Sequence, residues 1–279
     1  MDIEIIEMAD RKMKFILKNS SPAMANALRR TLLSDIPKMA IDKVDFHLGP
    51  IMDDSGKEYE SETPLFDEII AHRLGMIPVP TDLSLFVPQD KCTCGGSGCP
   101  SCQIMYSLNK IGPCTVYSGD LMPLGDSSLK VKDEFIPIVE LTDGQAILVY
   151  AYAYMGTARK HVKWQVCNGV GYRYFTRVSI DESKASDPEV LKCAEIAPEV
   201  FSVEGGRLVV KDPVACDQSK PEIIKIAETV NGVKFDYDDT TFVFKFETDG
   251  SMTAKQAFDK ALEILVSESN DFKEQLEAL

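Results

Sequence analysis

The residues best placed to do chemistry are Cys92, Cys94, Cys99 and Cys102, four thiols within eleven residues spaced C-x-C-x4-C-x2-C. A divalent zinc ion takes four soft ligands at tetrahedral corners, and two short chelating pairs joined by a reversal can supply them. Gly95, Gly96 and Gly98 lie between the pairs, where a reversal needs backbone freedom that other residues lack. No His, Asp or Glu stands inside the loop to leave an open coordination position, so the pattern suits a structural ion and not a hydrolytic one. The alternative is four reduced thiols with no metal, in a compartment where disulfides do not persist.

A second cysteine group is less complete. Residues 181–230 read as a helix, a short hairpin turning at Gly205 and Gly206, and a second helix, a rhythm that resembles the bacterial-type ferredoxin unit. A four-iron cluster needs four thiolates, typically spaced C-x2-C-x2-C-x3-C-P. Here Cys193 is followed by Ala197 and Pro198 where that pattern has Cys-Pro, and Ser219 and Glu222 stand three and six residues after Cys216. Even with Cys167 the region offers three thiols, so the scaffold is expected to persist without a standard iron–sulfur cluster, Cys193 and Cys216 being its remnants. An electron-transfer or redox-sensing protein is the rival reading, and it needs ligation that these residues do not complete. Among the histidines, His72 has no sequence neighbour to act with and is read as solvated or helix-terminal. No Ser/His/Asp set or phosphate-cradling glycine loop is found.

The elements that hold these residues follow from periodicity. Ser21 and Pro22 are a helix start, a hydroxyl cap followed by a residue suited to the first helical position. Pro37 stops the run, giving a helix over 21–36 with an apolar stripe that includes Leu28 and Leu32. Arg29 and Arg30 interrupt that stripe and must point about 100° apart around the axis. Thr253 and Gln256 form a capping box that opens a helix to about Leu276, with Phe258, Leu262, Leu265, Phe272 and Leu276 on its apolar side. Such a rod, roughly 36 Å long, needs a cover. A second subunit and the chain's own core are both open as that cover.

Strands are expected over 1–7, 13–17, 40–48, 107–117, 128–132, 138–141, 145–155, 171–180 and 240–247, with a polar loop over 53–62 around Asp54. A short helix is expected over 64–74, with Leu65, Ile69 and Leu74 on one side and Gly75 closing it in a left-handed conformation. Residues 156–165 are a basic island holding Arg159, Lys160, His161, Lys163 and the sole tryptophan, Trp164. It could touch nucleic acid or protein, or be a solvated turn. The chain has 279 residues and a net charge of −14, a balance that argues against wrapping nucleic acid directly and suits basic protein partners. No apolar run reaches membrane-spanning length, and the first residues lack a signal-peptide pattern, so an intracellular, cytoplasmic protein is expected.

Five segments carry a family resemblance: residues 26–37 (NALRRTLLSDIP), 66–80 (FDEIIAHRLGMIPVP), the four-cysteine loop, 160–165 (KHVKWQ) and 244–252 (FKFETDGSM) with its closing helix. In this order they resemble the RNA polymerase assembly subunits, a group that comprises the bacterial alpha subunit's N-terminal domain and its archaeal and eukaryotic counterparts. The ferredoxin-like insert places the resemblance with the archaeal branch. It implies an α+β fold, with a dimerisation domain over 1–40, 166–182 and 231–279. An inserted antiparallel β-rich domain would cover 41–165, and a degenerate ferredoxin-like insert 183–230. It further implies a non-catalytic scaffold that heterodimerises with the smaller subunit L through Leu28, Leu32, Phe258, Leu262 and Leu265. Arg29 and Arg30 match the family's paired arginines, whose helix faces the second-largest subunit, B. The small subunits N and P are further implied partners.

Overall fold

The computed structural model describes residues 1–53 and 55–278; Asp54, expected in the polar loop, and Leu279 lie outside the described residues. In chain order the elements begin with β1 (Asp2–Met8), β2 (Lys12–Lys18), α1 (Pro22–Ser34), β3 (Lys38–Phe46), β4 (Ile51–Met52), β5 (Glu58–Tyr59) and α2 (Asp67–Gly75). There follow β6 (Gln103–Ile111), β7 (Cys114–Tyr117), β8 (Met122–Pro123), β9 (Pro137–Leu141), β10 (Ala146–Gly156) and β11 (Cys167–Ile180). The chain closes with α3 (Pro188–Leu191), α4 (Cys193–Ile196), β12 (Phe201–Glu204), β13 (Arg207–Val210), α5 (Pro221–Thr229), β14 (Val233–Thr248) and α6 (Ala254–Glu277). The mixture of helices with antiparallel sheet is the expected α+β class.

The chain divides into two compact units, the first comprising 1–7, 14–26 and 171–245 and the second 8–13, 27–170 and 246–279. In the first, a sheet runs in the order β1-β2-β14-β11. Its aromatic side chains stack across strands: Phe15 lies 5.0 Å from Phe244, and Tyr172 5.1 Å from Phe244. The insert packs around its own small core, in which Val190, Cys193, Val200, Phe201, Leu208, Cys216, Ile223 and Ile226 are all buried. The hairpin β12–β13 turns at Gly205 and Gly206, both at positive φ, as the glycine pair requires.

The second unit is built on the sheet β3-β10-β6-β8. β10 pairs antiparallel with both β3 and β6, and its sequence alternates accordingly. Ala151 and Ala153 point into the core, while Tyr150, Tyr152 and Tyr154 stand on the other face. A single core joins this sheet to α2 and the β7–β9 pair through Ile70, Leu74, Tyr106, Leu108, Val116, Ile138 and Val149.

Four expectations are corrected. Residues 128–132 do not form a strand: the Asp126 carboxylate accepts from the Ser128 amide, and the chain takes a short 3-10 turn over Ser127–Leu129. Residues 107–117 are two strands, broken where Gly112 meets Pro113; a Cβ on Gly112 would lie 2.2 Å from the Thr142 carbonyl oxygen. In α2 the buried side chains are Ile70 and Leu74, four residues apart on one face, whereas Ile69 is exposed. Gly75 ends α2 without a left-handed cap. A Cβ there would stand 3.4 Å from the Ile41 carbonyl oxygen of β3, the near edge of ordinary contact, so neither φ nor space demands glycine at this position.

Candidate metal centre and partner-facing helices

The loop before β6 brings the four thiols together. Cys92 Sγ lies 3.5 Å from Cys99 Sγ, Cys94 Sγ 3.6 Å from Cys102 Sγ, and Cys99 Sγ 3.9 Å from Cys102 Sγ. All four sulfurs fall within 4.8 Å of one another. Four sulfurs at about 2.3 Å from a tetrahedral ion stand about 3.8 Å apart, so the set fits a zinc ion with little movement.

Local backbone geometry makes this possible. Gly95, Gly96 and Gly98 all take positive φ, and the Gly95 amide closes a turn on the Cys92 carbonyl at 3.0 Å. The Cys102 and Gln103 amides close a second turn on the Cys99 carbonyl at 3.0 Å. A Cβ on Gly98 would collide with Gln103 Oε1 at 2.2 Å, so this position needs glycine for space as well as for φ. The thiols are not equivalent. Hydrogen bonding from Cys92 and from the Cys99 backbone brings Cys94 down to about 6, whereas burial pushes Cys102 up to about 12. Ligation by thiolate needs all four deprotonated, and a bound cation is what would stabilise that charge. Chemically this is a closed four-thiolate centre that orders a glycine-rich loop and leaves no position for a reacting water.

The other cysteines are placed differently. Cys193 and Cys216 are fully buried in the apolar core of the insert, and burial pushes both thiols up to about 11. Cys167 is buried as well, in the other unit, and its thiol is raised by burial. No grouping of three or more metal-ligating side chains occurs among the described residues apart from the four-cysteine loop.

Capping in α1 is as the sequence predicts: Ser21 Oγ accepts from the Met24 amide at 3.3 Å, and Pro22 occupies the first turn. Leu28 and Leu32 are buried within the chain, Arg29 is half-buried, and the Arg30 side chain is exposed. Thr253 and Gln256 form the reciprocal capping box at the start of α6. The first turns of α6 are covered by this chain: Ala254, Ala257, Phe258 and Ala261 are buried, with Phe258 stacked 6.4 Å from Phe246. Beyond them the cover stops. Leu262 and Leu265 are half-buried, and Val266, Phe272 and Leu276 are exposed at 61%, 64% and 54%.

The basic island makes contacts within the chain, while Arg159, Lys160 and His161 stay exposed. Arg159 holds the Asp35 carboxylate at the end of α1 in a two-pronged contact, with Glu268 of α6 3.9 Å away. Lys163 pairs with Asp42, and the ammonium groups of Lys160 and Lys163 sit 4.9 and 4.4 Å from the Trp164 ring centroid. Trp164 is itself buried and donates to the Tyr154 carbonyl at 3.0 Å. His72 is exposed on the last turn of α2. The reach of Arg159 escapes a reading of the sequence because its acidic partners are distant along the chain.

Comparison with known proteins separates an assembly subunit from an orphan metal-binding fold. The sequence profile of the RNA polymerase Rpb3/Rpb11 dimerisation domain matches residues 14–268. The chain belongs to that family. Among individual relatives, it is 42% identical over 274 residues to DNA-directed RNA polymerase subunit Rpo3 of Picrophilus torridus, covering 98% of this chain and 99% of that one. It is 44% identical to Rpo3 of Thermoplasma volcanium, over 95% of this chain and 96% of that one, and 36% identical to Rpo3 of Archaeoglobus fulgidus over 100% and 98%. The match runs through both units, so the family resemblance is not confined to the cysteine loop or to the terminal helices. No helix among the described residues is long and apolar enough to cross a membrane.

Proposed function

We propose that this chain is the non-catalytic assembly platform of a cytoplasmic DNA-directed RNA polymerase. It heterodimerises with a smaller alpha-like subunit, the L type, through a dimerisation domain drawn from 1–40, 166–182 and 231–279. The observation that carries the reading is the uncovered second half of α6. Val266, Phe272 and Leu276 lie in solvent on a 24-residue helix whose first turns are already packed. Isolated apolar side chains are common on surfaces, but a row of them on one helix marks a place where another helix docks. The names of the relatives and their full-length coverage support the same role.

In this reading Arg30, exposed on α1, and its neighbour Arg29 face the second-largest subunit. Leu28, Leu32 and Phe258 fix the positions of the two helices from beneath, while Leu262 and Leu265 border the docking face. The four-cysteine loop carries one structural zinc ion, which holds the loop in a single shape, and the small N- and P-type subunits are further partners of the chain. No catalytic residue is assigned.

Co-expression with a candidate small alpha-like subunit, followed by mass measurement of the purified complex, tests the proposal. A one-to-one heterodimer that takes up the second-largest subunit is expected. A well-behaved monomer at micromolar concentration, indifferent to both, would sink it.

A further inference from the structure

β2 and β14 are neighbours in the sheet of the first unit and run antiparallel. At one end of the pair the Thr248 amide donates to the Arg11 carbonyl at 2.8 Å, and at the other the Ser20 amide donates to the Thr240 carbonyl at 3.0 Å. Between them Phe15 and Phe244 stack on one face of the sheet, 5.0 Å apart. Their sequence neighbours Lys14 and Lys245 therefore stand side by side on the other face, where both line a cavity of about 510 Å3. Like charges set across from each other on adjacent strands destabilise a sheet unless something neutralises them. Elsewhere on β2, Lys18 has Glu4 at 2.5 Å. Neither Lys14 nor Lys245 has an ion-pair or hydrogen-bond partner among the described residues.

The other cations at this cavity are already engaged. The Arg173 guanidinium on β11 donates to the Val214 carbonyl at 2.5 Å and to the Tyr174 carbonyl at 3.3 Å, with Asp217 3.4 Å away. It thereby pins the wall that Val214, Ala215 and Asp217 build. Lys220 has Glu199 at 3.3 Å. The uncompensated charge of the cavity is thus the two lysines, in a chain whose net charge is −14. Beneath them the floor is hydrocarbon: Val214 and Val243 line the cavity, packed with Ile16 and Phe175.

We propose that this cavity takes an acidic segment of a partner protein, with one apolar side chain resting on the valine floor and carboxylates on either side of it meeting Lys14 and Lys245. Two carboxylates neutralise ammonium groups that nothing else in the chain reaches. Inorganic phosphate suits the cavity less well, because its oxygens need several converging donors and the valine side chains supply none. A nucleic-acid backbone needs a run of cations, and two lysines in an acidic chain do not make one. The volume falls within the range of small-ligand sites, enough for one side chain and its flanking backbone. None of these residues lies on α1 or α6, so failure of this site leaves the assembly role untouched.

Fluorescence anisotropy of the full chain, in whatever assembly it purifies, with the labelled peptide Glu-Glu-Leu-Glu-Glu tests the site. The same peptide with serine for leucine should bind about tenfold less tightly, the worth of one buried leucine side chain. Added salt should weaken both, and tripolyphosphate or a single-stranded oligonucleotide should compete poorly. Lys14→Gln should weaken the leucine peptide several-fold. Lys245→Glu should abolish its binding, because the new carboxylate neutralises Lys14 from within the chain. Lys245 is exposed, and urea unfolding of the Lys245→Glu variant should show stability kept or raised, which separates a lost site from a lost fold. Should that variant unfold, Lys14→Gln still decides. Equal affinity for the leucine and serine peptides, tighter binding of tripolyphosphate or oligonucleotide, binding undiminished in the variants, or no binding at millimolar concentration would each overturn the proposal.

Discussion

Lys38 and Asp249 stand 211 residues apart in the chain and share a buried ion pair, with side chains 4% and 11% exposed. The pair ties the first residue of β3 to the turn that launches α6. Each group makes further hydrogen bonds. The Lys38 ammonium also donates to the Gln165 carbonyl at 3.3 Å, and the Asp249 carboxylate accepts from the Ser251 amide at 3.0 Å and the Ser251 hydroxyl at 2.6 Å. Next in sequence, Gly250 takes φ +91°, and a Cβ there would lie 2.5 Å from the Arg11 guanidinium carbon.

Removing one partner leaves the other charge buried and alone, which costs far more than the pair contributes. Asp249→Ala should therefore destabilise the chain by about 3–5 kcal/mol in urea unfolding, and Lys38→Met with Asp249→Leu together by clearly less. Equal losses for the single and double variants would mean that the carboxylate acts through the turn and not through the lysine.

One equivalent of zinc should be measured in protein purified without added metal, and Cys99→Ser should lower it to a small fraction. Because a closed four-thiolate site supplies about 10 kcal/mol of local folding free energy, chelation should open residues 92–102 to protease while the far-ultraviolet circular dichroism changes little. Unchanged protection of the loop after metal removal would show that its glycine turns suffice.

Charged residues on the open half of α6 should separate folding from association. Val266→Glu and Phe272→Glu replace exposed side chains, so each should shift stability by no more than about 0.5 kcal/mol. Heterodimer formation should nevertheless fall steeply, measured by size-exclusion chromatography with mass detection.

Arg30→Ala removes an exposed guanidinium from α1 without touching the buried Leu28 and Leu32. The heterodimer should survive, while capture of the second-largest subunit in a pull-down should drop several-fold. Undiminished capture by the variant would remove Arg30 from that interface.

Asp238 predicts a pH dependence. Burial alone would raise its carboxyl, but hydrogen bonds from the Thr240 hydroxyl and amide and from Arg177, at 2.7, 3.0 and 2.7 Å, outweigh it and bring it down to about 2. A lowered folded value stabilises above the ordinary carboxylate value near 4, and that contribution disappears as pH falls toward 2. The stability gap between wild type and Asp238→Asn should be constant at neutral pH and close across that acidic window, followed by thermal unfolding. A gap independent of pH would assign the effect to packing.

How far the sequence reveals this molecule depends on whether partners are local. The caps of α1 and α6 and the cysteine loop were legible because Ser21, Thr253 and Gln256, and the four thiols, find their partners within a few residues. Gly75 reads as a left-handed helix terminator, yet its backbone stays out of that region, because the chain leaves α2 through Met76 without a reversal that needs it. The 128–132 stretch has a β-like composition that the single Asp126 carboxylate overrides. Lys14, Arg173 and Lys245 share a cavity only because three strands from distant parts of the chain lie side by side, which no linear pattern announces.

Trp164 is the chain's one indole, wedged so tightly over Gly156 that a Cβ on that glycine would fall 2.6 Å from the ring. With two ammonium groups over its faces and its N–H engaged, it is a built-in optical probe. Its emission reports on the surroundings of β10 without any label, so partner docking, metal loss and unfolding of that unit can be followed by fluorescence in the unaltered protein.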